Sequence, residues 1–218
     1  LLGRNSELVS NSHADVQVSG QERGGGLVGH NLGTLEHSYA SGSVSGSFRV
    51  GGLLGSYTGD VKNSYYSIAE VPINGETGVL TRGGISDSQY QDWLASGILD
   101  IDDYDSLNSV GGSVYEIDSV QGLRDMLGFA GYSSFEFRLA ADLDLSGQPG
   151  LCVPYLAAGL DGAGHTVSHP EVSQSYNPNI GLFRQISSDG QVTDLEVTDM
   201  DLEGTSNVGG VAGLNRGT

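Results

Sequence analysis

Gly25-Gly26-Leu27-Val28-Gly29-His30-Asn31-Leu32-Gly33-Thr34-Leu35-Glu36-His37-Ser38-Tyr39-Ala40-Ser41-Gly42-Ser43-Val44-Ser45-Gly46 is the clearest of three copies of one pattern, spaced 26 residues apart. Leu1, Leu27 and Leu53 align, as do Gly3, Gly29 and Gly55, and Ser12, Ser38 and Ser64. Self-similarity at this period is the signature of a solenoid, in which each coil buries its apolar face only against its neighbours. Gly, Asn and Ser clusters divide the copy into extended runs at 25–29, 34–40 and 43–50, separated by turn signals. Such runs plus their corners make about one turn of a parallel β-helix, with coils about 4.8 Å apart.

Stacking puts equivalent residues in columns. Leu1, Leu27 and Leu53 form one expected core column, and Val18 with Val44 another. Asn5, Asn31 and Asn215 are the expected corner residues, because Asn tolerates left-handed backbone and stacked amides bond along the axis. The third copy breaks this column with Tyr57.

Composition agrees with a narrow, glycine-cornered fold. The 218 residues include 35 Gly, about twice the usual share, without the three-residue period of collagen. Acidic residues outnumber basic ones 27 to 9, giving a formal charge of −18. That surface repels nucleic-acid phosphates and anionic membranes, and it suits a salty medium that screens self-repulsion. No apolar run is long enough to cross a bilayer, so neither nucleic acid nor membrane insertion is expected. Cys152 is alone, which excludes an internal disulfide. The first and last residues fall mid-repeat, with Val211 in the register of Leu1; we read the chain as a segment of a longer protein, one period of a tandem array.

The cores Gly26-Leu27-Val28-Gly29, Gly52-Leu53-Leu54-Gly55 and Gly210-Val211-Ala212-Gly213 resemble the GLUG repeat. Asn-x-Gly-Thr corners follow at Asn31 to Thr34 and Asn215 to Thr218. The resemblance covers 1–66 and about 180–218. It implies an all-β, right-handed parallel β-helix of the kind found in bacterial surface adhesins, filamentous-haemagglutinin-like proteins and non-catalytic parts of IgA-cleaving metallopeptidases. Gly159 to Val167 likewise resembles a first-coil segment of right-handed β-helices.

Regularity fails after Tyr66. Ser86 and Gln89 form a capping box, with Tyr90, Trp93 and Leu94 as the apolar stripe of a helix over 87–95. Ser119 caps a second helix over 120–128, with Val120, Leu123 and Leu127 on one face. These are the two short flanking or capping helices of the expected fold. We divide the chain into coils at 1–84, a helical and acidic excursion at 85–113, and a second block at 114–218 that opens with a helix and continues into a further GLUG coil.

Chemistry is sparse. His-Glu-x-x-His, Gly-x-Ser-x-Gly and a phosphate loop are absent. No catalytic, cofactor-binding or metal residue is assigned. Calcium is the one cofactor left open, with Asp100, Asp102, Asp103 and Asp105 as weak ligand candidates. Their run lacks the Gly and Glu of an EF-hand, so a solvated acidic turn is the simpler account. His165 and His169 are four apart on an extended segment, which does not favour shared zinc. The pairs Asp142 with Asp144 and Asp199 with Asp201, with Arg138 and Arg184, are the candidates for an enzymatic alternative, polysaccharide lyase or hydrolase chemistry on a β-helix groove. The favoured reading is an extracellular or cell-surface structural or adhesive segment. Its expected partners are copies of itself, a surface glycan or a host surface, with Tyr39, Tyr65 and Tyr66 exposed for sugar stacking.

Overall fold

The computed structural model describes residues 2–218, so Leu1 lies outside the described residues. It is a parallel β-solenoid with only two short α-helices. The chain falls into two compact units: Leu1–Leu99 with Ser175–Asn177, and Asp100–Gln174 with Pro178–Thr218.

In the first unit, each coil contributes a strand to each of three stacks. The first stack holds β1 (Leu2–Asn5), β4 (Val28–Asn31) and β7 (Leu54–Tyr57). The second holds β2 (Leu8–Ser10), β5 (Thr34–Glu36) and β8 (Asp60–Lys62). The third pairs β3 (His13–Glu22) with β6 (Tyr39–Phe48). All pair in parallel, and Leu2↔Val28, Leu8↔Thr34 and His13↔Tyr39 set the period of 26 residues. The observed runs differ from the expected ones: β4 starts at Val28, the second corner falls at 37–38 inside the run read as 34–40, and β6 crosses the break expected before 43.

The core forms as columns. Leu27 and Leu53 are both 0% exposed, with the Leu27 amide donating to the Leu53 carbonyl at 3.0 Å. Val9, Leu35 and Val61 make a second column. In a third, the half-buried Val18 pairs with the buried Val44, which in turn bridges to Ile73. Each fully buried Leu contributes about 1.5–3 kcal/mol relative to exposure.

Two polar ladders run beside the apolar columns. The Asn5 amide donates to Asn31 Oδ1 at 2.8 Å and to the Glu7 and Thr34 carbonyls. Asn31 Nδ2 donates to the Gly33 and Asp60 carbonyls at 3.1 and 3.0 Å. The Ser12 amide donates to Ser38 Oγ, and the Ser38 amide to Ser64 Oγ, each at 3.1 Å. One expectation needs correction. Asn5 and Asn31 turn their corner through their side chains and are not among the residues with positive φ. The left-handed corner lies six residues on, at the equivalent Asn11, His37 and Asn63, with φ of 47°, 46° and 44°. A buried amide with several partners anchors a turn without any need for left-handed backbone.

The third coil continues into β9 (Tyr66–Ser67), and after it come β10 (Gly84–Ile85) and helix α1 (Asp87–Ser96). Ser86 caps α1, accepting from the Gln89 amide, and Gly97 closes it in the left-handed conformation, φ 78°. The buried face is Gln89, Tyr90 and Trp93. Leu94, read as part of the stripe, is 44% exposed.

The second unit begins with a hairpin that was not legible in advance. Strand β11 (Leu107–Gly111) pairs antiparallel with β12 (Val114–Ile117). The turn uses Gly111 and Gly112, with φ of 120° and 66°, values that suit glycine. Residues 85–113, read as one excursion, therefore divide: α1 packs in the first unit and β11 is an edge strand of the second. Helix α2 (Val120–Met126) follows, capped by Ser119 and burying Leu123 and Met126. The remaining coils run in parallel. Strands β13 (Glu136–Leu139), β15 (Gly159–Asp161) and β20 (Gln191–Thr193) stack on β12. A second stack holds β14 (Leu143–Asp144), β16 (Thr166–Ser168) and β21 (Glu196–Thr198). Strand β17 (Glu171–Ser173) pairs with β22 (Asp201–Glu203), and β18 (Asn179–Ile180) with β23 (Asn207–Val208). Last, β19 (Phe183–Ile186) pairs with β24 (Ala212–Asn215). Core columns recur here as Phe137, Leu160 and Val192, and as Leu143, Val167 and Val197.

Candidate functional surfaces

The tyrosines expected to tile an exposed surface do not. Tyr66 is 0% exposed, its hydroxyl donating to the Val79 carbonyl and accepting from the Thr81 amide, each at 2.8 Å. Tyr65 is also buried, under Trp93 of α1 at 5.5 Å between ring centres. The reason is the irregular third coil: its extra loop and α1 cover a flank that a bare repeat would leave open. Only Tyr39 remains half-exposed, stacked on the exposed His13 at 4.9 Å and 7°. Asn63 joins α1 to the coils, accepting from Trp93 Nε1 at 2.8 Å and donating to the Gly97 carbonyl.

In the second unit, Asp142 just before β14 and Asp144 within it are both exposed, on either side of the buried Leu143. Each lies against its own histidine. Asp142 Oδ1 lies 3.1 Å from His165 Nδ1, and Asp144 Oδ1 lies 2.9 Å from His169 Nδ1. The Thr166 amide first, then His165, hold the Asp142 carboxyl below its usual range. The Ser146 amide and hydroxyl, then His169, do the same for Asp144. Depressed carboxyl values favour the fold above the ordinary carboxylate range and lose that contribution on acidification; both sites are fully exposed, so the effect is small. The second expected pair is not on one strand: Asp199 sits at a left-handed corner, φ 49°, before β22, which carries Asp201. Arg184 is buried and donates to Gln174 Oε1 at 2.8 Å.

Arg138 does line a groove. An open depression of about 670 Å³ is bordered by Arg138, Asp161, Asp194 and Glu196, with Arg138 Nε 3.7 Å from Asp161 Oδ2. Sequence reading missed Asp161, Asp194 and Glu196 as a group, because Asp161 comes from one coil and Asp194 and Glu196 from the next, with no shared local motif.

The calcium candidates are engaged in a turn. Asp100 caps a 3₁₀ segment (Ile101–Asp103), its carboxylate accepting from the Asp102 amide at 3.1 Å. Among the described residues no group of three or more His, Cys, Asp or Glu is placed to hold a metal. Asn215 is exposed, stacks on Ile186 and accepts from the Gly217 amide at 2.9 Å. The amide ladder of this unit is elsewhere, where Asn207 Nδ2 donates to Asn179 Oδ1 at 2.8 Å. Cys152 is wholly buried, and desolvation raises its thiol pKa to about 11. We therefore expect a maleimide to leave Cys152 unlabelled in the folded protein and to label it fully in denaturant, as read by intact mass. Rapid labelling in buffer would contradict its placement.

No helix among the described residues is long and apolar enough to cross a membrane. Residues 20–45 match the family model of the GLUG motif. Halomucin of Haloquadratum walsbyi is 38% identical over 122 residues, which cover 49% of this chain and 1% of that protein. No solved structure matches the chain. The coil built from Gly20 through β4 and β5 to Ser45 is thus a GLUG-motif coil, and the chain that carries it is a GLUG-bearing parallel β-solenoid.

Proposed function

We propose that this chain is a structural segment of a larger, surface-associated extracellular protein, in which stacked coils act as a stalk and copies associate with one another. The observation that carries this reading is the column architecture of the first unit, with its core and polar ladders aligned at one period. Every coil is both substrate and template for the next, and such arrays lengthen by repetition. The relative of which this chain spans only 1% supports a setting within a much longer protein. The acidic surface, −18 over 218 residues, supports an extracellular, salt-rich setting. Electron microscopy of the native source with an antibody to this chain tests the reading. Label along filaments or a surface layer is expected; label on compact secreted monomers would contradict it.

A second reading, a polysaccharide lyase or hydrolase, is favoured by one observation, the groove where Arg138, Asp161, Asp194 and Glu196 converge. Paired carboxylates beside a guanidinium suit a uronate-bearing substrate. Incubation with acidic glycans, followed by measurement of chain length, separates the two. Shortened chains would favour the enzyme, and unchanged chains the stalk.

A further inference from the structure

The chain has only nine basic residues against 27 acidic ones, yet several gather on one face of the first unit. Arg4 on β1 lies beside His30 on β4, and His30 beside Ser56 on β7. Arg23 and Arg49 occupy equivalent corners one coil apart, both left-handed, with φ of 57° and 55°. Arg23 Nη1 is 3.2 Å from His30 Nδ1. The Arg49 guanidinium lies 5.1 Å from the centre of the Phe48 ring. The motif glycines create this closeness. A Cβ at Gly29 would lie 2.7 Å from the Arg23 carbonyl oxygen, and one at Gly55 would lie 2.4 Å from the Arg23 carbonyl carbon.

Among the described residues, none of Arg4, Arg23 and Arg49 forms an ion pair. Glu22, next to Arg23 along the chain, forms none either. Within the same column, Ser56 Oγ is buried with no hydrogen-bond partner, alone in this among the described side chains. Burial, then the charges of Arg23, Arg4 and Arg49, lower the pKa of His30; all the guanidiniums bear on one point. Gathering like charges costs energy, and this chain has carboxylates enough to neutralise them, yet among the described residues none forms an ion pair with these arginines.

We propose that Arg4, Arg23, His30 and Arg49, with the Ser56 hydroxyl, form a binding site for the sulfate or carboxylate groups of a linear acidic polysaccharide. Guanidiniums bind such oxyanions through paired N–H donors. Arg23 and Arg49 repeat at the coil spacing, about 4.8 Å, which presents a row of charge. A row suits a polymer with an anion on successive sugars better than the scattered carboxylates of a folded partner. The Phe48 ring beside Arg49 adds an apolar face of the kind sugars stack on. Repulsion from the rest of the chain is long-ranged and fades at high salt, whereas the contacts at the site are short-ranged. The proposal goes beyond the stalk reading and does not depend on it.

The test uses the whole chain with dextran sulfate and polygalacturonate as probes and neutral dextran as blank, at constant ionic strength. Asn is at ease in left-handed backbone, so Arg23→Asn with Arg49→Asn preserves both corners. We expect at least one polyanion to bind the wild type, the double variant to lose tenfold or more in affinity, and neutral dextran not to bind. Which polyanion binds identifies the oxyanion. In the wild type itself, phenylglyoxal should modify Arg4, Arg23 and Arg49, and the bound polyanion should protect them while leaving Arg138 and Arg216 reactive, as read by peptide mass mapping. Absence of binding, binding indifferent to the double variant, or equal protection of every arginine would overturn the proposal. So would a double variant that loses only self-association, which would make a second copy the occupant.

Discussion

Gly33→Ala should destabilise the first unit by about 3 kcal/mol or more, beyond the usual range for overpacking because the obstacle is backbone. A Cβ at Gly33 would lie 2.0 Å from the Glu7 carbonyl oxygen and 2.6 Å from the Glu7 amide nitrogen. Neither can yield as a side chain does. To make room the coils must part, which weakens the cross-coil bonds from the Leu32 amide to the Asn5 carbonyl and from the Thr34 amide to the Glu7 carbonyl, at 2.8 and 2.9 Å. Gly59 and Gly217 meet the same obstacle, each 2.0 Å from the carbonyl oxygen of the coil before. Gly20→Ala is the control, since nothing lies within 4 Å of its Cβ; it should be neutral or slightly stabilising, by up to about 1 kcal/mol. Urea unfolding followed by the fluorescence of Trp93, which lies in the same unit, reads both. Equal stability of Gly33→Ala and Gly20→Ala would contradict the close stacking.

Asn31→Leu is the second large effect. The side chain is 0% exposed and serves two coils at once, accepting from Asn5 and donating to Gly33 and Asp60. Leucine nearly matches its volume but takes the acceptor from the Asn5 side-chain amide and the side-chain donor from the Asp60 carbonyl, while the Gly33 carbonyl keeps the Asp60 amide at 3.0 Å; each buried group left unsatisfied costs about 1–3 kcal/mol. We expect a loss of about 3 kcal/mol or more in the same unfolding measurement. Combined with Asn5→Ala, the losses should be less than additive, because the Asn5–Asn31 bond is removed only once. Full additivity would show that the amides do not form a ladder. Tyr57 occupies this position in the third coil, where Arg82 lies 4.4 Å from its ring centre; the end of the column uses a different cover.

What the sequence made legible was whatever repeats. The period placed Leu27 on Leu53 and Val18 on Val44, and aligned Ser12, Ser38 and Ser64, because stacking converts sequence spacing directly into spatial neighbourhood. The helix at α1 was legible for a local reason, its capping box from Ser86 to Gln89 and the apolar stripe that includes Tyr90 and Trp93. Where the period lapses, reading failed. The hairpin of β11 and β12 follows no repeat, and its Gly111-Gly112 turn comes just after the acidic run 100–105, which drew attention to metal instead. Coil length in the second unit also drifts: Thr166 pairs with Glu196 and Asn179 with Asn207, 30 and 28 residues apart. An alignment at 26 therefore could not find the Asn179–Asn207 ladder, and the Asn-x-Gly-Thr motif pointed to Asn215 instead. Tyr65 and Tyr66 were misplaced because exposure in the third coil depends on α1 and the loop before it, which no single coil encodes. The groove and the arginine face were invisible for a related reason. Each assembles residues from separate coils that are unremarkable one at a time.

The central claim is that coils stack in parallel at a register of 26 residues. Gln17 and Ser43 are register partners on β3 and β6, about 4.8 Å apart and so within disulfide reach. Ser45 points the same way two residues further on, which puts its Cα about 8 Å from that of Gln17, beyond such reach. Cysteines at 17 and 43 should therefore close an intramolecular disulfide under mild oxidation, while cysteines at 17 and 45 should stay largely reduced, with the buried Cys152 silent in both. Equal cross-linking of the two pairs, or preference for 17 with 45, would contradict the stacked register.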